Sequence, residues 1–120
     1  MPSNLIPVGD AAEMTSNFRS QKESMLTTGL RDAGTLPVCE TFDRSAFDTI
    51  LSDTNCTGVR IYLGMDSDSK VKLIVVGVNS SNEDIMIAYT NPGSELATDY
   101  VVEDGTRCPD DCPPSSSLNS

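Results

Sequence analysis

Hydrophobic and polar positions alternate most regularly between Gly58 and Val78. Val59, Ile61, Leu63 and Met65 alternate with Arg60, Tyr62 and Gly64. Beyond the polar stretch Asp66–Ser69, Val71, Leu73 and Val75 alternate with Lys72, Ile74 and Val76. A period of two on both sides of an Asp/Ser turn predicts a β-hairpin over residues 58–78. Ile74, Val76 and Val78 make the second strand apolar on both faces, which predicts a central position in a sheet. The polar run 79–84 predicts a further turn, and Ile85–Tyr89 a third strand that extends the hairpin into a meander.

Helical periodicity occupies the first half of the chain. In the segment from Gly9 to Leu26, Ala11, Met14, Phe18, Gln21 and Met25 recur at spacings of three and four and mark one mildly apolar face. Asp10 and Glu13 fit a capping box, and Arg19 and Glu23 are placed to pair one turn apart. A second, shorter helix is predicted after Asp43 as N-cap, with Phe42 and Phe47 as a hydrophobic staple. Its buried face would be Phe47, Ile50 and Leu51, and residues 52–55 end it. Between the helices, Gly29, Gly34 and Pro37 predict a loop. Val38–Phe42 reads as a short strand or as an extended lead-in.

These elements define a single α+β domain over residues 9–90. A lead-in covers 1–8, and an acidic, flexible Pro/Ser/Cys tail covers 91–120, with a short edge strand expected at 99–103. The pattern fades after the breaker triplet 91–93. With 120 residues the chain is long enough for one domain and not two. Two helices are expected on one face of an antiparallel sheet of three or more strands, covering Val59, Ile61 and Leu63 together with Met14, Phe18, Phe47 and Ile50.

Charge changes the picture of partners. Residues 1–90 carry 12 acidic and 7 basic side chains and residues 91–120 carry 6 and 1, so each part contributes −5 to the net −10. Nucleic acid and anionic membrane both need clustered Lys and Arg, so neither is expected as a partner. No stretch approaches the length of a membrane helix; the longest apolar run is Leu73–Val78. The N-terminal sequence lacks a basic region followed by an apolar core, so it does not read as a secretory signal. The expectation is a soluble, acidic, cytoplasmic protein.

Candidate chemistry is sparse. The chain has no His, which removes Ser-His-Asp, Cys-His and His-containing metal sites. It has no phosphate-binding loop and no dinucleotide fingerprint. Four cysteines are present: Cys39 and Cys56 flank the second helix, and Cys108 and Cys112 lie in the tail. They are the candidate zinc ligands, although only Cys108 and Cys112 have knuckle-like spacing. A local disulfide between Cys108 and Cys112 is the second reading, and it needs oxidising surroundings. Free tail thiols, with Cys39 and Cys56 as small buried hydrophobes, are the third. The acidic segment 66–69 resembles the opening of a calcium loop but lacks its third acid, glycine and distal glutamate. Arg60 and Tyr62 project from one strand face and, lining a small groove with Lys72, form the candidate surface contact.

Several of these segments occur together in a recognisable order. Met14, Thr15, Phe18 and Arg19 fit M-T-x-x-(F/Y)-R. Cys56, Gly58, Val59, Arg60, Ile61, Tyr62, Gly64 and Met65 fit C-x-G-(I/V)-R-I-Y-x-(A/G)-M. Val76-Gly77-Val78 and the Pro/Cys run Cys108–Pro114 follow. In this the chain resembles a group of small bacterial proteins of the kind found in Bacteroidetes genomes. That group has no assigned activity, so the resemblance implies a family without implying a function.

The functional expectation is therefore a non-enzymatic protein-interaction module or assembly component, with no cofactor. A protein partner is expected, with a homodimer through an open sheet edge as one form of it. Two alternatives stand beside it. One is an acidic inhibitor or immunity-type protein that covers a basic partner. The other is a metal- or redox-responsive protein that uses Cys108 and Cys112.

Overall fold

The computed structural model describes residues 3–90, 92–93 and 96–120. The expected hairpin is its centre. Strands β2 (Gly58–Met65) and β3 (Val71–Val78) pair antiparallel in unbroken register from Gly58 opposite Val78 to Met65 opposite Val71. Asp66 builds the turn. Its Oδ1 accepts hydrogen bonds from the Asp68 and Lys70 amides, both at 2.9 Å. Those donors, Lys70 first, hold its carboxyl below the ordinary carboxylate value. Ser69 takes the positive φ that closes the turn.

Strand β3 is central, as its two-faced apolarity predicts, but its second edge is completed piecewise. Two residues of β4 (Asp84–Ile85) pair with Val78 and Gly77. Val75 exchanges backbone hydrogen bonds with Val102, at 2.7 and 3.1 Å. The Leu73 amide donates to the Glu40 carboxylate at 3.2 Å, and the Val71 amide to the Thr35 carbonyl at 2.7 Å. Arg107 Nη2 donates to the Val71 carbonyl at 2.9 Å and to the Thr35 carbonyl at 3.2 Å. Buried backbone groups need partners, and here a side-chain ion pair supplies what a strand would.

That ion pair belongs to a second sheet. β1 (Cys39–Thr41) pairs antiparallel with β7 (Thr106–Cys108), which sets Glu40 opposite Arg107 and Cys39 opposite Cys108. Val38–Phe42 is thus strand-forming. The segment read as tail also holds a strand, and Cys108, 6% exposed, belongs to the core. Its partner lies far earlier in the chain, so no local pattern marks β7. A third sheet joins β5 (Ile87–Tyr89) to β6 (Thr98–Tyr100), with Tyr89 and Tyr100 edge to face at 6.2 Å. The single strand expected over 85–89 is therefore split at Met86. Val102 takes the next position along β3, so the chain leaves β3 after Ile85. The edge strand expected at 99–103 is real but pairs with β5, and only Val102 reaches β3. The breaker triplet begins at residue 91, which lies outside the described residues.

Helix α2 (Arg44–Leu51) follows its sequence closely. Asp43 is its N-cap residue, although its side chain accepts no capping bond. The Phe42 and Phe47 rings meet edge to face at 6.1 Å, as a staple should. Ile50 is the buried residue, at 4% exposure, and Leu51 is exposed. Gly77 lets α2 approach β3: a Cβ there would lie 3.2 Å from Ile50 Cγ2 and 3.1 Å from Cys56 Sγ.

Helix α1 (Val8–Gln21) starts earlier and ends earlier than the periodicity suggests. Pro7 is its N-cap residue, so Asp10 falls inside the first turn, where it complements the helix dipole, and the capping box is not formed. Ala11, Ala12, Thr15 and Phe18 are half-buried, Met14 is exposed, and no α1 residue is fully buried. Arg19 does not pair with Glu23. Its guanidinium donates to the Leu118 carbonyl at 2.7 Å and to the Ser120 carbonyl at 2.6 Å. Glu23 instead accepts from Lys22 Nζ and from the Asp32 amide, each at 2.7 Å.

Among the described residues the buried apolar core is Ile50, Val75, Val76 and Cys108. The consequence shows in the dimensions. The radius of gyration is 17.0 Å, against about 14 Å for a compact chain of this length. The accessible surface is 8531 Å², against about 6,300 Å² for a folded monomer of this mass.

Candidate interaction surface

The excess surface has a clear local contribution. Strand β2 is at the end of the β2-β3-β4 sheet, and its outer backbone edge has no strand partner among the described residues. The side chains expected in the core lie on its open face instead. Val59 is 39% exposed, Ile61 56%, Leu63 77% and Met65 59%. Alternation had marked one apolar face correctly. It carried no information about whether an element of the same chain would cover it. Helix α2 meets the sheet at Gly77, across from Val59, and so reaches only one end of the row.

Open edges are usually guarded by Lys, Pro or a bulge. Residues 58–65 include no Lys and no Pro, and the β2–β3 register runs without a bulge. The one charge on β2, Arg60, is turned to the other face. There it forms an ion pair with Asp84 and also donates to the Asn82 side-chain oxygen. The Tyr62 hydroxyl donates to the second Asp84 oxygen at 2.7 Å.

Asp84 is the residue that sequence reasoning missed. It joins Arg60 and Tyr62 because Asp84 stands opposite Val78, on the sheet face that both share. Its only sequence signal was a place in a polar turn. Lys72 shares that face but stands opposite Gly64, at the other end of the hairpin. Its Nζ is 4.0 Å from Asp66, and it lines a depression of about 350 Å³ with Lys70, Arg107, Asp110 and Asp111. Arg60 and Tyr62 thus form one cluster, and Lys72 belongs to another.

The Tyr62 hydroxyl, and then Arg60, hold the Asp84 carboxyl below its ordinary 3.8, while partial burial opposes them. A depressed folded-state value means stabilisation that is complete above the ordinary value and lost as pH falls through the lower folded one. Denaturant midpoints on acidification below 3.8 should therefore fall further for the native sequence than for Asp84→Asn. Asp66 titrates in the same direction in both proteins, so the difference between the two curves isolates Asp84. Parallel curves would remove the network from the account of hairpin stability.

The cysteines divide into two groups. Cys108 and Cys112 form a disulfide with a Cα–Cα distance of 4.6 Å. Their sulfurs are therefore not a thiolate pair for zinc. Cys39 and Cys56 are free and half-buried. The Cys56 thiol donates to the Gly58 carbonyl at 3.2 Å, beside Gly77, whereas Cys39 stands opposite Cys108 in the β1–β7 register. Among the described residues no group of three or more Cys, Asp or Glu side chains is placed to hold a metal ion. Nor is any helix among them long and apolar enough to cross a membrane.

No family model matches the chain, and neither a curated protein nor a solved structure does.

Proposed function

We propose that this protein is a non-enzymatic assembly component that pairs with a second copy of itself through the open edge and apolar face of β2. The uncovered row Val59, Ile61, Leu63 and Met65 on an unguarded edge carries this reading. Strand addition at such an edge satisfies the outer backbone groups and sets the apolar rows of the two chains side by side on one continuous face. An antiparallel two-fold with Ile61 on its own mate sets Val59 against Leu63 and keeps the apolar row continuous.

The net charge of −10 opposes self-association, yet residues 58–65 carry no acidic side chain. No two acidic side chains therefore meet in the contact, the charge of Arg60 is balanced by Asp84 within each chain, and the remaining repulsion is screened by salt. A disulfide favours an oxidising compartment over the cytoplasm, and the former is the location we infer. Kinship with the bacterial group whose motifs the chain shares belongs to the same proposal. Mass in solution as a function of concentration tests the pairing. A dimer in the micromolar range is expected, and a monomer throughout that range would overturn it.

A further inference from the structure

We propose that Cys39, Cys108 and Cys112 form a thiol–disulfide exchange site, in which the bond at Cys108 moves between Cys112 and Cys39. Three observations bring the residues together. Cys108 is bonded to Cys112. Cys39 is a free thiol. The β1–β7 register sets Cys39 directly opposite Cys108.

Directly opposed residues share a sheet face, with Cβ atoms about 4.5–5.5 Å apart. A disulfide needs Cβ atoms about 3.5–4.5 Å apart. A shift of about 1 Å between two short strands therefore closes the alternative bond. β1 and β7 have three residues each and form a sheet of their own. The shift is needed only at the Cys39–Cys108 rung, on the sheet face opposite the Glu40–Arg107 pair that braces β3. Cys56 takes no part, since its thiol is held at Gly58 beside Gly77.

The step balances within the chain. The Cys39 thiolate attacks Cys108 Sγ, the Cys39–Cys108 bond forms and the Cys108–Cys112 bond breaks. Cys112 Sγ leaves with the electron pair and takes the proton that Cys39 gave up. One disulfide and one thiol are present before and after, so no oxidant or reductant is consumed. What changes is where the thiol stands. Before exchange it is the half-buried Cys39; afterwards it is Cys112, which is exposed beside Asp110 and Asp111. The fold thus delivers a thiol to its surface, open to an external disulfide, with the buried Cys108 as the shared member of both bonds.

The test uses the full chain in its oxidised form. The protein is held at mildly alkaline pH without added oxidant, because the thiolate is the attacking species. It is then quenched with acid and alkylated after unfolding, and the label is mapped by peptide mass. The expected result is label on Cys112 in a fraction of molecules whose Cys39 is linked to Cys108. That label should be lost in Cys39→Ser. Cys112→Ser removes the Cys108–Cys112 bond and leaves Cys39 and Cys108 as thiols, which on mild oxidation should form the Cys39–Cys108 bond. Native protein that never labels at Cys112 overturns the proposal. So does label on Cys112 that persists in Cys39→Ser, or a Cys112→Ser protein that keeps Cys39 and Cys108 as free thiols.

Discussion

Glu40→Ala is expected to lower stability by about 3–5 kcal/mol, the usual cost of removing one partner from a buried ion pair. The Glu40 side chain is 0% exposed and Arg107 9%, so solvent does not screen the pair. Removing the carboxylate has two effects. It leaves the Arg107 guanidinium buried without its paired carboxylate, and it removes the acceptor of the Leu73 amide on the edge of β3. The site has little slack. A Cβ on Gly105 would already lie 2.7 Å from Glu40 Oε2 and 2.8 Å from Phe42 Cζ, which shows how closely the carboxylate is enclosed.

The pair is also not ideal. Arg107 Nε and Glu40 Oε1 are 3.8 Å apart, and Arg107 Nε and Glu40 Oε2 have no hydrogen-bond partner. Replacing both residues with apolar side chains of similar size, as in Glu40→Met with Arg107→Leu, should therefore cost clearly less than Glu40→Ala alone. The Arg107 bonds to Thr35 and Val71 are lost in that double variant, so it should still fall below the native protein. Urea unfolding of the two variants and the native chain measures this order. A Glu40→Ala protein with a native midpoint would mean that β1–β7 does not hold the edge of β3.

The second large effect concerns association. Ile61→Lys or Leu63→Lys should convert the proposed dimer to a monomer while leaving the hairpin folded. Each side chain is mostly exposed in the single chain, at 56% and 77%, so the substitution disturbs little within it. In the pair each packs across the junction in cross-strand contacts worth roughly 0.2–1 kcal/mol apiece, which a lysine would lose, so the dissociation constant should rise by about tenfold. Ile61→Lys also sets two like charges against each other at the two-fold axis. Light scattering reads the loss of the dimer, and far-UV circular dichroism checks the fold. A variant that remains dimeric would move the contact away from β2.

What was legible in the sequence was whatever repeats locally. The alternation over 58–78, the Asp66 turn and the Phe42–Phe47 staple of α2 each place their cause within a few residues of their effect. The β1–β7 pairing has no such signal. Cys39 and Cys108 come from distant parts of the chain, and Arg107-Cys108 is a strand only because Cys39-Glu40 stands beside it. The split between β4 and β5 was hidden for the same reason, since Val102 decides where β3 stops pairing. Helix α1 was over-extended because Met25 continued the period after the backbone had left the helix at Gln21. The exposure of Val59, Ile61 and Leu63 is a different kind of miss. An apolar face requires a cover, but the pattern is the same whether that cover comes from the same chain or another. Of the site, Arg60 and Tyr62 were visible as a pair, and Asp84, which joins them, was not.

The most direct test of the central claim is the mass of the native protein in solution, followed across the micromolar range at low and at moderate salt. The account predicts a dimer that strengthens as salt rises, because screening relieves repulsion between two chains of charge −10 and leaves the apolar contact intact. A monomer at every concentration and salt would contradict it. The β2 face would then await a different protein, and a complex with a basic partner that weakens as salt rises would identify that alternative.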